Sequence, residues 1–322
     1  MVLPLAKEVT VRRLSPESFR RAGQFLKTKA RPLDRARFEH RFEAAPADAV
    51  IEELAPYQNA DGGFGHALEP DVRTPSSSAL ATGIALGMLK ELGQPADHPM
   101  VSGGIAFLFR SFDAEAAVGR VIPRDADDHP HAPWWHDEDG SLARTFDDFL
   151  IIPRAQLVAL LHHYTELVPN DWLDSVTEAT ASAIETLDEE AFAGGGDTLR
   201  YALELAGCDA LSRRLRGRLM QRLRDLCDRL VCRDPSQWEG YCATPLKIAP
   251  SPDSPVIDLL WEDVRRNLDY AVERQTEEGT WEPTWTWGER YPTAWEQAKT
   301  EWRGHVTLET LTSLHAFGRL AL

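Results

Sequence analysis

The sequence predicts an all-α chain, and three observations predict it. Apolar residues recur at the 3.6-residue spacing of helices, no convincing period-two alternation appears, and cap residues fall where the periodic segments begin and end. In chain order the periodic segments are Phe19 to Leu26, Ala79 to Leu92, Ile105 to Phe109, Leu157 to Leu167, Leu211 to Leu230, Val256 to Val272 and Val306 to Leu320. The second carries the clearest boundaries. Ser76, Ser77 and Ser78 follow Pro75 just ahead of it, where a hydroxyl can accept from the first free N–H groups, and Gly93 follows its last apolar residue, Leu92. Counting segments gives roughly eleven or twelve helices, too many for a simple bundle.

Length and composition set outer limits. The 322 residues can bury a large core, and 43% hydrophobic with 27% charged residues describes a globular chain. No run of about 18 apolar residues is present. The opening stretch, MVLPLAKEVTVRRL, is too short in apolar residues for a secretory signal, so a cytosolic location is expected. Cys208, Cys227, Cys232 and Cys242 form no CxxC pair and are expected as thiols. A formal charge of −16 repels polyanions and excludes a nucleic-acid binder of the usual basic kind.

A short motif recurs. "QNADGGFG" from Gln58 and "QTEEGTWE" from Gln275 share Q-x-x-x-G-x-aromatic, with Phe64 in one and Trp281 in the other; "SQWEGYCATP" is a degenerate third copy. Each of the first two precedes an apolar helix. The glycine permits a sharp reversal and the ring can stack beneath the next helix, so the motif predicts a brace between helices of a repeated hairpin. Such hairpins either close on themselves or stack as a solenoid.

The second copy, with Tyr270 five positions before Gln275 and then Gly279 and Trp281, resembles the QW repeat of squalene cyclases. "QNADGGFG" resembles the related turn of terpenoid cyclases and protein prenyltransferase β-subunits. The resemblance implies one α/α toroid over residues 1–322, of about six helical hairpins. It also implies a chemistry. Asp125, Asp127 and Asp128 match the D-x-D-D pattern of type II terpenoid cyclases, in which the middle acid protonates the substrate, and that places the proton donor on Asp127. Crowded carboxylates cannot all ionise, so one would keep its proton. Trp134 and Trp135 would offer π faces to a carbocation. His305 sits in a stretch similar to the prenyltransferase helix that carries a zinc-binding histidine.

Other candidates come from the residues themselves. Glu69 and Asp71, beside Arg73, sit just before a helix, where a toroid would place them at the mouth of its cavity; capping electrostatics is the plainer explanation of them. Trp285 and Trp287, with Trp281, Trp295 and Trp302, either line an apolar cavity or buttress helix ends. His129, His131 and His136 with Asp127 or Asp128 could hold zinc, but the spacing matches no standard signature, and neither zinc nor magnesium is expected as a cofactor. Eight arginines between Arg213 and Arg233 make either a solvated face or a peripheral membrane contact. The expected function is acid-initiated cyclisation of a linear isoprenoid. Two alternatives stand beside it: a non-catalytic toroid that binds an apolar ligand or a partner protein, and a metal-dependent enzyme built on the His129–His136 loop.

Overall fold

The computed structural model describes residues 11–113, 118–119, 121–137 and 153–321, and they form twelve α-helices. These are α1 (Pro16–Thr28), α2 (Pro32–Glu43), α3 (Ala47–Leu54), α4 (Ala79–Glu91), α5 (Pro99–Ser111) and α6 (Arg154–His163), followed by α7 (Asn170–Thr186), α8 (Asp197–Ala206), α9 (Arg213–Leu230), α10 (Pro245–Ile248), α11 (Ile257–Glu273) and α12 (Pro292–Ala316). Among the described residues the only strands are a two-residue antiparallel pair, Phe112–Asp113 with Val118–Gly119. The fold is all-α, as periodicity predicts.

Local chemistry sets the boundaries. Ser15, Ser78 and Ser212 accept from the N–H groups of Ser18, Ala81 and Leu215 and so cap α1, α4 and α9. Gly93 takes a φ of 67° just after α4, where a side chain would be strained. Helices α2, α3, α7 and α8 are missing from the periodic segments because their buried faces are short or small. In α7, for instance, Thr177, Thr180, Ala181 and Ala183 supply much of the buried face.

Helices pack in a regular order. The helices touch within the pairs α1–α2, α4–α5, α6–α7, α8–α9 and α10–α11, and helices two apart also touch along α4, α6, α8 and α10. α12 packs on both α1 and α2, so the two ends of the chain meet. Leu14 and Leu320 form a parallel bridge, with Leu14 N–H donating to Arg319 O at 2.7 Å and Ala321 N–H to Leu14 O at 2.9 Å.

The two Q-x-x-x-G turns are nearly superimposable in their bonding. Gln58 Nε2 donates to Gly62 O at 2.9 Å, and Gln275 Nε2 to Gly279 O at 3.0 Å. Gly62 and Gly279 have φ values of 87° and 89°. Phe64 N–H donates to Thr82 Oγ1 of α4, and Trp281 N–H to Thr307 Oγ1 of α12. Each glutamine also reaches a further helix: Gln58 the Met100 carbonyl on α5, Gln275 the Ser18 carbonyl on α1. A side chain on either glycine would collide with that helix, 2.5 Å from Gly103 O or 2.6 Å from the Arg21 carbonyl carbon. α1 therefore stands to the second turn as α5 stands to the first. The third copy is a different turn. Gly240 has no positive φ, and Gln237 lies on Asp234 rather than on a glycine carbonyl.

A large apolar cluster runs through the helices, and a smaller one caps one region of them. The second joins Val72 and Leu80 to Val121, Ile122, Ala126, Ala132 and Trp135, and these to Trp287, Trp295 and Ala298. Three loops thus meet in a second core. On α9, Arg216, Arg218, Arg224 and Arg229 pair with Asp209, Glu185, Asp258 and Glu189, so neighbouring acids neutralise much of its basic face. Among the described residues no helix is long and apolar enough to cross a membrane.

Candidate functional site

The loop after the first glycine turn carries the most unusual electrostatics in the protein. Two non-glycine residues in succession, His66 and Ala67, adopt left-handed φ values of 55° and 58°. This strained bend turns Leu68, Glu69 and Asp71 inward; all three are buried. Arg31 holds the bend from below. Its guanidinium grips Asp34 with both arms, at 2.8 and 3.2 Å, and donates a further hydrogen bond to Leu68 O at 3.0 Å. Arg73 holds the far side by a two-pronged pair with Glu301 of α12, at 2.8 and 3.0 Å.

Asp71 lies in an indole clamp. Its Oδ1 accepts from Trp287 Nε1 and from Trp302 Nε1, both at 2.7 Å. Trp285 packs edge-on against Trp302 at 4.9 Å, and its own Nε1 stands near the same carboxylate without completing a hydrogen bond. Burial pushes the Asp71 carboxyl up to about 6, against the pull of the indole hydrogen bonds and the Arg73 charge. Glu69 is raised further, well above the usual carboxylate range, by burial first and the neighbouring Asp71 charge second. Two acids side by side, with one strongly favouring its proton, form a donor and its partner. A cavity just large enough for one water adjoins Glu69, lined also by Val72, Thr74 and Ser78.

Around this pair the walls are aromatic and charged. Glu301, Trp302, His305 and Glu309 form a stripe along α12 at helical spacing, and Arg37 Nη2 donates to Glu309 Oε1 at 3.2 Å. His305 retains accessible surface, yet burial pushes its imidazole down to about 4. Tyr241, with its ring 6.4 Å from Trp285, and Lys247, paired with Asp197 at 3.0 Å, approach the same region.

The loop from Val121 onward departs from what its sequence implies. Its three aspartates are not crowded. Asp125 Oδ2 accepts from Ser76 Oγ at 2.7 Å, Asp128 is exposed, and Asp127 turns to histidines. Asp127 Oδ1 lies 2.9 Å from His136 Nδ1 and 3.3 Å from His131 Nε2, and both its oxygens accept from the Asp137 N–H at 3.2 Å. Burial alone would raise this carboxyl; the Asp137 N–H, the His136 hydrogen bond and the charges of His136 and His131 outweigh it and hold the group below its usual range. Asp127 is therefore paired with imidazoles rather than crowded by carboxylates, and the carboxyl whose protonated form burial favours most is that of Glu69. Trp134 is 44% exposed and Trp135 is buried in the second core. Trp287 is wholly buried behind Asp71, leaving no ring face for a substrate. Trp285 and His305 keep accessible surface beside the acid pair.

Asp127, His131 and His136 do converge, and they are the residues that could hold a metal. Their loop is locked to the acid loop by backbone bonds, Arg73 N–H to Pro130 O at 3.1 Å and Ala132 N–H to Asp71 O at 2.9 Å. Sequence reasoning named Glu69 and Asp71 but not the indole clamp that closes on Asp71. The α12 stripe, Glu301 to Glu309, is the signal that could have found it. No protein-family model and no curated protein matches this chain.

Proposed function

We propose that the chain is an enzyme working by general-acid catalysis, with its helices closing into an α/α toroid, in the cytosol. Glu69 is the proton donor and Asp71 its ionisable partner. The observation that carries this is the acid pair itself: Glu69 and Asp71, 9% and 3% exposed, with Asp71 pinned by two indole N–H groups at 2.7 Å. A buried carboxyl that keeps its proton at neutral pH, beside accessible aromatic rings, can protonate a neutral substrate and stabilise the cation that follows. The reaction that fits the resemblance to proton-initiated terpenoid cyclases is cyclisation of a linear isoprenoid, with Trp285, Trp302 and Tyr241 facing the developing positive charge. Asp71 would then accept the proton back from solvent and return it to Glu69.

A second substrate class is favoured by one specific feature. Arg200 Nε is buried without a hydrogen-bond partner among the described residues, and Asp197, Lys247, His305 and Glu309 lie on the same walls. A hydrocarbon chain leaves these polar groups unsatisfied, whereas a hydroxyl-rich substrate, protonated on a glycosidic oxygen by the same Glu69, satisfies them. The test is a panel of linear prenyl diphosphates, squalene and neutral oligosaccharides, each with wild type and Glu69→Gln. Turnover of the accepted substrate should fall by about 100-fold or more in the variant. Full turnover by Glu69→Gln would remove the general-acid reading, and saturable binding of a panel member without any turnover would replace it by a non-catalytic toroid.

A further inference from the structure

Asp127, His131 and His136 stand in a geometry that hydrogen bonding alone leaves unsatisfied. One ligating atom from each lies within 4.8 Å of the others. Two donors each about 2.1 Å from a small ion sit about 3.0 Å apart in octahedral geometry and about 3.4 Å apart in tetrahedral geometry. The Asp127 Oδ1 separations, 2.9 Å to His136 Nδ1 and 3.3 Å to His131 Nε2, lie in the range that two ligands of one ion span.

His131 supplies the independent observation. Its side chain has no accessible surface, and its Nδ1 lies 2.7 Å from the His129 carbonyl. That carbonyl can only accept, so Nδ1 carries a proton, and in the neutral ring, the form that binds a metal, Nε2 presents a lone pair. Nε2 is buried with no hydrogen-bond partner and lies 3.3 Å from Asp127 Oδ1, off the line of a hydrogen bond. A lone pair facing an anionic oxygen at this distance is repulsive, and a cation between them reverses the sign. Orientation of a metal-binding histidine by a backbone carbonyl on its second nitrogen is the usual support for such a ligand. The Asp137 N–H orients Asp127 in the same way.

The surroundings set the rest of the site. Asp127 and His136 keep 29% and 27% of their side chains accessible, so one face is open while His131 closes the other. Arg290 Nη2 stands 3.1 Å from His136 Nδ1, bringing a positive charge to the open face, and it has to swing aside as an ion enters. Tyr291, whose ring lies 5.5 Å from that of His131, adjoins the site from the start of α12.

We propose that Asp127 Oδ1, His131 Nε2 and His136 bind one divalent first-row transition ion of zinc's class, leaving at least one position open to solvent. Two imidazoles and one carboxylate suit borderline ions rather than calcium or magnesium, which prefer oxygen. The proposal is independent of the role given to Glu69.

The test uses the full-length chain without a histidine tag, stripped with a chelator and titrated with zinc chloride by calorimetry. Cobalt(II) serves as a visible-absorption probe of the same site. One saturable ion per chain is expected, with the absorption pattern of mixed nitrogen and oxygen ligation. Asp127→Asn and His136→Gln change partly accessible side chains, and each should weaken binding by at least about tenfold, since even outer-shell changes cost 10–100-fold. Asp128→Asn, an exposed acid one residue away, should leave binding unchanged and controls for adsorption by a chain this acidic. Absence of saturable binding by the wild type overturns the proposal; that result would mean His131 is protonated and simply ion-paired with Asp127. Unweakened binding by both ligand variants overturns it equally.

Discussion

Replacing Asp71 with asparagine should stabilise the protein while removing activity, and the stabilisation should depend on pH in a defined way. The Asp71 carboxyl titrates near 6 in the folded chain against an ordinary 3.8, because burial outweighs its indole hydrogen bonds. Between those values the folded state binds more protons than the unfolded state, so stability falls as pH rises and the full cost is present above about 6. At about 1.36 kcal/mol per pH unit, the gap corresponds to about 3 kcal/mol. Asparagine does not titrate, and its Oδ1 can still accept from Trp287 and Trp302. The unpaired Nδ2 of the amide adds a cost that does not vary with pH. The variant's advantage over wild type should therefore increase by about 2.4 kcal/mol from pH 4 to pH 7 and then level off. Urea midpoints followed by tryptophan fluorescence at half-unit pH steps measure it, with the exposed Asp128→Asn as a control expected to be flat. A difference that is constant with pH, or that shrinks as pH rises, would refute the reasoning that Asp71 is a buried acid under strain.

Two further predictions concern the frame that holds the site. Gly279→Ala forces a side chain into a φ of 89° and to 2.6 Å from the Arg21 carbonyl carbon, and should cost about 2–4 kcal/mol by denaturant unfolding. Gly217→Ala on α9, where an added carbon meets nothing within 4 Å, should instead stabilise by about 1 kcal/mol. Arg73→Ala leaves Glu301 buried and uncompensated; about 3–5 kcal/mol should be lost, with Arg73→Lys intermediate because an ammonium cannot grip both oxygens.

What the sequence made legible followed from local rules. Period 3.6 located α4, α9 and α11 because each buries a broad apolar face, and the paired glutamine–glycine turns were readable because each needs a positive φ that glycine alone takes freely. The site was half legible. Glu69 and Asp71 stood out as acids before a helix, but the burial that displaces them comes from tertiary packing, which brings Trp287 and Trp302, more than two hundred residues away, onto Asp71. The crowding expected of the D-x-D-D run was not legible for the same reason. Spacing along a chain says which side chains could crowd, whereas a short 3₁₀ turn over Arg124–Asp128 sends Asp125 to Ser76 and Asp127 to His136. His131 was one histidine among several until burial and an orphaned nitrogen singled it out.

The bond from Gln275 to the Ser18 carbonyl has a consequence for how the chain is made. α1 is synthesised well before its packing partner, α12, with ten other described helices made between them. A nascent chain lacking α12 cannot complete the seam between Leu14 and Leu320, so the closing contacts are the longest in sequence separation and the slowest to be found. Because the ends already touch, the order of synthesis is dispensable to the finished fold. Joining the termini by a short flexible linker and reopening the chain in the exposed turn between Asp209 and Ala210 would start synthesis at α9 and place α12 directly before α1. In such a permutant the seam becomes a local hairpin contact, and folding should quicken without any change in the packing that the seam secures.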